Sequence, residues 1–253
     1  MKREGTPWLV SAHGAQAQAR LRLYCFPYSG GNAVSFIPWQ RDIDARIEIC
    51  AVQLPARGAR FREPPCTSFR GLIETLAEVV GQQQVEPFAF YGHSLGALLA
   101  FELTRHLRDH ALPLPQHLIV SGCNAPPLRE KSKRLHELPD EELIVRLRDY
   151  NGTPAEVLEN RELMGLLLPA IRADFALGAD YHYQSGAPLP IPLSALSGRC
   201  DSHVTVADIQ RWQGETAAAY QEHWFDGDHF FINTERRAVL DCITGLLLGG
   251  ENP

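Results

Sequence analysis

Gly92-His93-Ser94-Leu95-Gly96 constrains this chain more than any other stretch. It spells G-x-S-x-G. It lies between an apolar run, Phe88-Ala89-Phe90-Tyr91, and a pattern that sets Leu95, Leu98, Leu99, Leu103 and Leu107 on one helical face. A strand that turns directly into a helix needs glycine where side chains would collide, and it holds the serine strained at the apex. Such a turn is characteristic of a parallel sheet covered by helices, so the rest of the chain should alternate strands with helices.

The alternation is there. Strands are predicted at Leu21–Phe26, Ile47–Val52, 88–91 and 118–120, and again near 191–196 and 222–225. Phe69, Leu72, Ile73, Leu76 and Val80 recur at helical spacing, and further helices are predicted near 206–220 and 235–248. From Asn124 to about Ser185 the rhythm breaks. A Pro-Pro pair and a basic cluster lead into two helical patterns there: Leu143, Ile144, Leu147 and Tyr150, then Leu163, Leu166, Leu167, Ile171 and Phe175. The expectation is one α/β domain over 1–253, a mostly parallel sheet flanked by helices, with a helical insertion at 124–185.

Composition narrows the classes. At 253 residues and 45% hydrophobic the chain can bury a large core. No apolar run approaches the ~18 residues of a membrane span, and the charged start leads into no secretory signal. A net charge of −6 argues against nucleic acid as a partner. The six cysteines are scattered without a C-x-x-C pair, so zinc and redox motifs find no support; reduced thiols, no metal and a cytoplasmic location are expected.

A serine hydroxyl needs a base to attack, and the base needs an acid to orient it. In a nucleophile-elbow protein the order is Ser, then Asp or Glu, then His. Asp201 follows the predicted strand that ends at Gly198. His229 lies in Phe225-Asp226-Gly227-Asp228-His229-Phe230-Phe231, just before the last helix. His223 falls inside the last strand, His203 lies too near Asp201 in sequence to be the expected base, and His13 and His182 lie outside the core. The catalytic residues expected are therefore Ser94, Asp201 and His229. The oxyanion would be held by two backbone N–H groups. One is that of Leu95. The other comes from the loop Pro27-Tyr28-Ser29-Gly30-Gly31-Asn32, with Ser29 favoured and Tyr28 the neighbouring option.

At this point the chain resembles the type II (external, editing) thioesterases that accompany nonribosomal peptide and polyketide synthases. The markers are Phe26-Pro27-Tyr28-Ser29-Gly30-Gly31, Gln53-Leu54-Pro55-Ala56-Arg57-Gly58-Ala59-Arg60, Tyr91-Gly92-His93-Ser94-Leu95-Gly96-Ala97 leading into Leu99-Ala100-Phe101-Glu102, Gly198-Arg199-Cys200-Asp201 and Gly227-Asp228-His229-Phe230-Phe231. The resemblance implies an α/β-hydrolase with a helical lid over the acyl site. It implies a substrate carried as a thioester on the phosphopantetheine arm of a carrier domain, no cofactor, and the same triad. The family usually has Gly where Ala56 stands and often Met where Leu95 stands.

Under that resemblance, a carrier domain would meet basic residues. Arg129 and Lys131, with Lys133 and Arg134, form one candidate docking cluster. Arg57, with Arg60 and Arg62, forms a second, and Tyr28 lies beside the site. A monomer is expected. The alternatives are a general serine esterase or lipase, an acyltransferase on the same fold, and a non-catalytic binding module.

Overall fold

The computed structural model describes residues 6–12, 19–83, 87–126 and 134–249. In chain order the elements are β1 (Leu9–Ser11), β2 (Leu21–Phe26), β3 (Ile47–Val52), α1 (Phe69–Gln82), β4 (Phe88–His93), α2 (Leu95–Asp109), β5 (Leu118–Ser121), α3 (Asp140–Tyr150), α4 (Ala155–Leu158), α5 (Arg161–Ala179), β6 (Leu193–Gly198), α6 (Val206–Gln210), β7 (Tyr220–Phe225), α7 (Phe231–Thr234) and α8 (Arg236–Leu248). They form one sheet in the order β1-β3-β2-β4-β5-β6-β7. Every neighbouring pair is parallel except β1 with β3.

Strands β2 to β6 are buried at every position. That is why they read as continuous apolar runs rather than alternating ones: helices cover both faces of a parallel sheet. On one face Tyr24, Phe26, Phe90 and Val120 pack under Leu72, Leu76, Leu98 and Leu99 of α1 and α2. On the other, Leu23, Ile49 and Tyr91 pack against Phe36, Trp39 and the α8 residues Val239, Leu240 and Ile243. None of the six cysteines is in a disulfide, and Cys25, Cys50 and Cys123 are buried. No helix among the described residues is long and apolar enough to cross a membrane.

The structure departs from the sequence expectations in three places. The edge strand β1 has no counterpart among them; it is three residues long and pairs antiparallel, Leu9 opposite Val52. The helix expected over 206–220 stops early: α6 passes into a 3-10 turn, Arg211–Glu215, and the chain is extended again by Thr216. On α5 the apolar face is rotated. Met164, Leu168 and Ile171 are buried, while Leu163, Leu166 and Leu167 are exposed. The buried set joins Leu143, Leu147 and Leu158 in a small apolar cluster of its own between β5 and β6.

Candidate active site

Ser94 occupies the single position between β4 and α2. Its backbone sits at φ 55° and ψ −116°, a region non-glycine residues rarely enter and one that costs about 1–3 kcal/mol. Two bonds hold it there: its N–H donates to Ser121 O on β5 (2.8 Å), and Ala97 N–H donates to its carbonyl (3.0 Å). The flanking glycines are demanded by close approach. A Cβ at Gly92 would collide with the carbonyl oxygen of Gly96, and one at Gly96 with that of Phe26. The Ser94 side chain caps nothing. The N–H of Leu95, in the first turn of α2, donates to no acceptor among the described residues, as the start of a helix requires.

Asp201 follows β6 and His229 follows β7, so both lie beyond the carboxyl ends of parallel strands, as Ser94 does beyond β4. His229 Nδ1 donates to Asp201 Oδ2 at 2.7 Å, with both residues buried. The carboxylate can only accept, so the ring proton sits on Nδ1 and the lone pair on Nε2. The other carboxylate oxygen accepts the His203 N–H at 2.8 Å. The His229 ring also lies 5.1 Å from that of His93, the residue preceding Ser94. His93 is fully buried and donates to or accepts from Ser121 Oγ at 2.9 Å. Burial, and next the nearby His229, hold the His93 imidazole well below its usual range. It therefore stays neutral beside the His229 ring.

The C-terminal end of α3 reaches these loops. Tyr150, the last residue of α3, stacks on His203 with rings 3.9 Å apart, and its ring is 5.4 Å from His229. Asn151 Nδ2 donates to Asp228 Oδ2 at 2.8 Å, one residue from His229. Tyr28 packs edge-on against Phe230 (4.8 Å) and His93 (5.9 Å), and its hydroxyl meets Ser35 Oγ at 3.3 Å.

In the loop after β2, Gly31 N–H donates to Tyr28 O (2.8 Å), Gly30 N–H to Asp174 Oδ2 (2.7 Å) and Ala33 N–H to Gln53 Oε1 (3.2 Å). The amides of Tyr28 and Ser29 donate to no acceptor among the described residues.

Arg57, a candidate docking residue from the sequence, does not stand at the surface. It is 5% exposed, because its guanidinium forks onto Asp174 of α5 (Nη1–Oδ2 2.5 Å, Nη2–Oδ1 2.8 Å) and reaches Gly31 O and Pro55 O. Arg60 turns inward too, onto Glu63, Gln53 O and the ring of Trp8. Arg62 is exposed. Arg129, Lys131 and Lys133 lie outside the described residues; Arg134 pairs with Glu137. Sequence reasoning missed Asp174, Tyr150 and His203. Only Asp174 carried a signal, a lone carboxylate one turn after Ile171 in an otherwise apolar pattern.

The sequence profile of the thioesterase domain family matches residues 21–247. The chain belongs to this family. It is 41% identical to the linear gramicidin dehydrogenase LgrE of Brevibacillus parabrevis over 95% of the chain and 92% of that protein. It is 39% identical to the gramicidin S biosynthesis protein GrsT of Aneurinibacillus migulanus, over 92% and 91%. Among solved structures, the type II thioesterase BorB from the borrelidin biosynthetic cluster superposes with a TM-score of 0.87 at 34% identity, covering 95% of this chain and 97% of that one. The thioesterase fold here is that of the α/β-hydrolases: a mostly parallel sheet with helices on both faces. No group of three or more His, Cys, Asp or Glu among the described residues is arranged to hold a metal ion.

Proposed function

We propose that this thioesterase hydrolyses acyl groups from the phosphopantetheine arm of carrier domains and so clears stalled or misloaded chains from a peptide or polyketide assembly line. The observation that carries the reading is the pairing of a strained serine at a strand–helix turn with a buried histidine whose Nδ1–H is fixed on a carboxylate. Its likeness to type II thioesterase BorB and to GrsT supports the carrier-bound substrate. The word dehydrogenase in the name of LgrE does not account for that serine and its histidine–aspartate pair.

In this reading His229 Nε2 takes the Ser94 proton as Oγ attacks the thioester carbonyl. Asp201 holds the ring in the required tautomer and stabilises the imidazolium. The N–H groups of Leu95 and Ser29 receive the oxyanion; neither has an acceptor among the described residues, which supports their assignment. The thiol released has a pKa of about 8.5, so it departs as thiolate with little help from an acid. The imidazolium passes its proton to the departing thiolate; neutral His229 then deprotonates water, which cleaves the acyl-serine, and the proton returns to Ser94 Oγ, restoring the site. Side chains and backbone carry every step without a cofactor. The helices α3 to α5 act as the lid, and the enzyme works in the cytoplasm on a partner carrier domain.

The test presents one acyl group in three forms: on a holo-carrier domain, on coenzyme A, and as a simple oxygen ester. Ser94→Ala is the control. A preference for the carrier thioester, abolished by Ser94→Ala, is expected. A preference for the oxygen ester would make the chain a general esterase, and acyl transfer to an added alcohol or amine would make it an acyltransferase.

A further inference from the structure

Asp174 is 2% exposed and accepts three hydrogen bonds, two from Arg57 and one from Gly30 N–H. A buried carboxylate needs a counter-charge, and Arg57 supplies it. The bond from Gly30 is additional, and it reaches from α5 to a loop 144 positions away in sequence. Ile171, a helical turn before Asp174, touches the same glycine. Gly30 sits at φ +77°, and a Cβ there would lie 2.8 Å from Ile171 Cγ1. Ile171 and Asp174 therefore press on the loop from the same face of α5.

Arg57 closes the circuit, since the Nη1 that binds Asp174 also donates to Gly31 O at 3.2 Å. The N–H of Gly30 and the carbonyl of Gly31 are thus both held by one buried ion pair. Gly31 N–H is spent on Tyr28 O. The amides left unspent at the head of this loop are those of Tyr28 and Ser29.

We propose that Asp174 is a positioning residue for the oxyanion hole. By capturing Gly30 N–H it fixes the Ser29–Gly30 peptide plane, while Gly31 N–H holds the Tyr28 carbonyl of the preceding plane, so that the Ser29 N–H between them is presented to the developing oxyanion. Donors lower a barrier only when they are already oriented before charge appears. Asp174 stands on α5, not on the sheet, so the donor is oriented only while α5 is seated on the loop. Seating of this helix and competence of the site are then one event. The proposal rests on the reading of Ser94 as nucleophile and of Ser29 N–H as oxyanion donor.

The experiment measures kcat and KM for a small acyl thioester with Asp174→Ala and Asp174→Asn. Active sites are counted by the final stoichiometry of fluorophosphonate labelling. A boronic acid that forms a tetrahedral adduct with the serine is titrated in parallel. Removing one oxyanion donor costs about 10²–10³-fold in kcat, so displacing one should approach the lower figure, ~50-fold for Asp174→Ala. Asp174→Asn keeps the shape and one acceptor, and should lose about 5–10-fold by the same reasoning. In both variants KM should stay within about threefold, and boronate affinity should weaken in step with kcat.

If Asp174→Ala does not fold, Asp174→Asn decides. A folded variant with kcat per site within twofold of wild type overturns the proposal, as does a change confined to KM or to thermal stability. Ser94→Ala separates the two levels. If it retains activity, the underlying assignment falls. If it is inactive while the Asp174 variants keep their kcat, only the positioning role falls.

Discussion

Asp201→Asn isolates the histidine–carboxylate pair with almost no change in volume. Asp201 Oδ1 accepts from the fixed backbone N–H of His203 (2.8 Å), so an asparagine there would keep its carbonyl oxygen on that donor. Its NH₂ would then point at His229 Nδ1, where Oδ2 now accepts at 2.7 Å. Two donors cannot share that contact. The imidazole responds by accepting at Nδ1 and moving its proton to Nε2, which leaves no lone pair to receive the Ser94 proton.

Loss of a hydrogen bond to a charged group accounts for about 1.5–3 kcal/mol. The wrong tautomer and the missing negative charge beside the imidazolium add the rest. The corresponding change in serine proteases costs about 10⁴-fold in kcat. That is about 5.4 kcal/mol at 1.36 kcal/mol per tenfold. The assay is kcat/KM for a small acyl thioester between pH 6 and 9, with unfolding by urea as the control. The expected variant is stable, about 10⁴-fold slower, and recovers some rate as hydroxide rises. A loss of less than tenfold in a folded protein would refute the view that this pair drives the chemistry.

Three further outcomes follow from the same structure. Gly96→Ala should cost about 3 kcal/mol or more in urea unfolding, because its Cβ would overlap Phe26 O and lie 2.8 Å from Pro27 O; wild-type stability would refute that close approach. Ala56 stands at φ +64°, so Ala56→Gly should relieve left-handed strain and raise stability by up to about 1 kcal/mol, read as a Tm gain of a few degrees; a fall in Tm would refute it. Burial, and next the nearby His223, push the His117 imidazole down to about 4. The folded state thus disfavours the proton that the unfolded chain takes up near pH 6.5, and this contribution is complete above that pH and lost as pH falls toward 4. Between pH 7.5 and 5 the wild type should lose about 2 kcal/mol more than His117→Gln, and equal losses would refute the shift.

The features of the site that obey local rules were legible in the chain. The turn at Ser94 announces itself because close backbone approach admits only glycine at 92 and 96. Asp201 and His229 could be picked out because each follows a strand in a fold whose order is set by the elbow. What stayed hidden depends on tertiary contact. Arg57 and Arg60 read as surface charge, since nothing local shows that a carboxylate on α5 waits for one and Trp8 for the other. The leucines of α5 suggested the wrong buried face because 163, 166 and 167 also keep helical spacing. β1 is too short, and too dependent on pairing with β3, to leave a pattern of its own.

The backbone at Ser94 has one more consequence. Glycine would relax the φ 55°, ψ −116° geometry, so the Ser94 hydroxyl, the proposed nucleophile, occupies a place where the chain would be more stable without it. Ser94→Gly should melt higher than the wild type while losing its chemistry. A laboratory selection for heat resistance alone would therefore tend to erase the proposed nucleophile, and only a simultaneous demand for turnover would keep serine at this position.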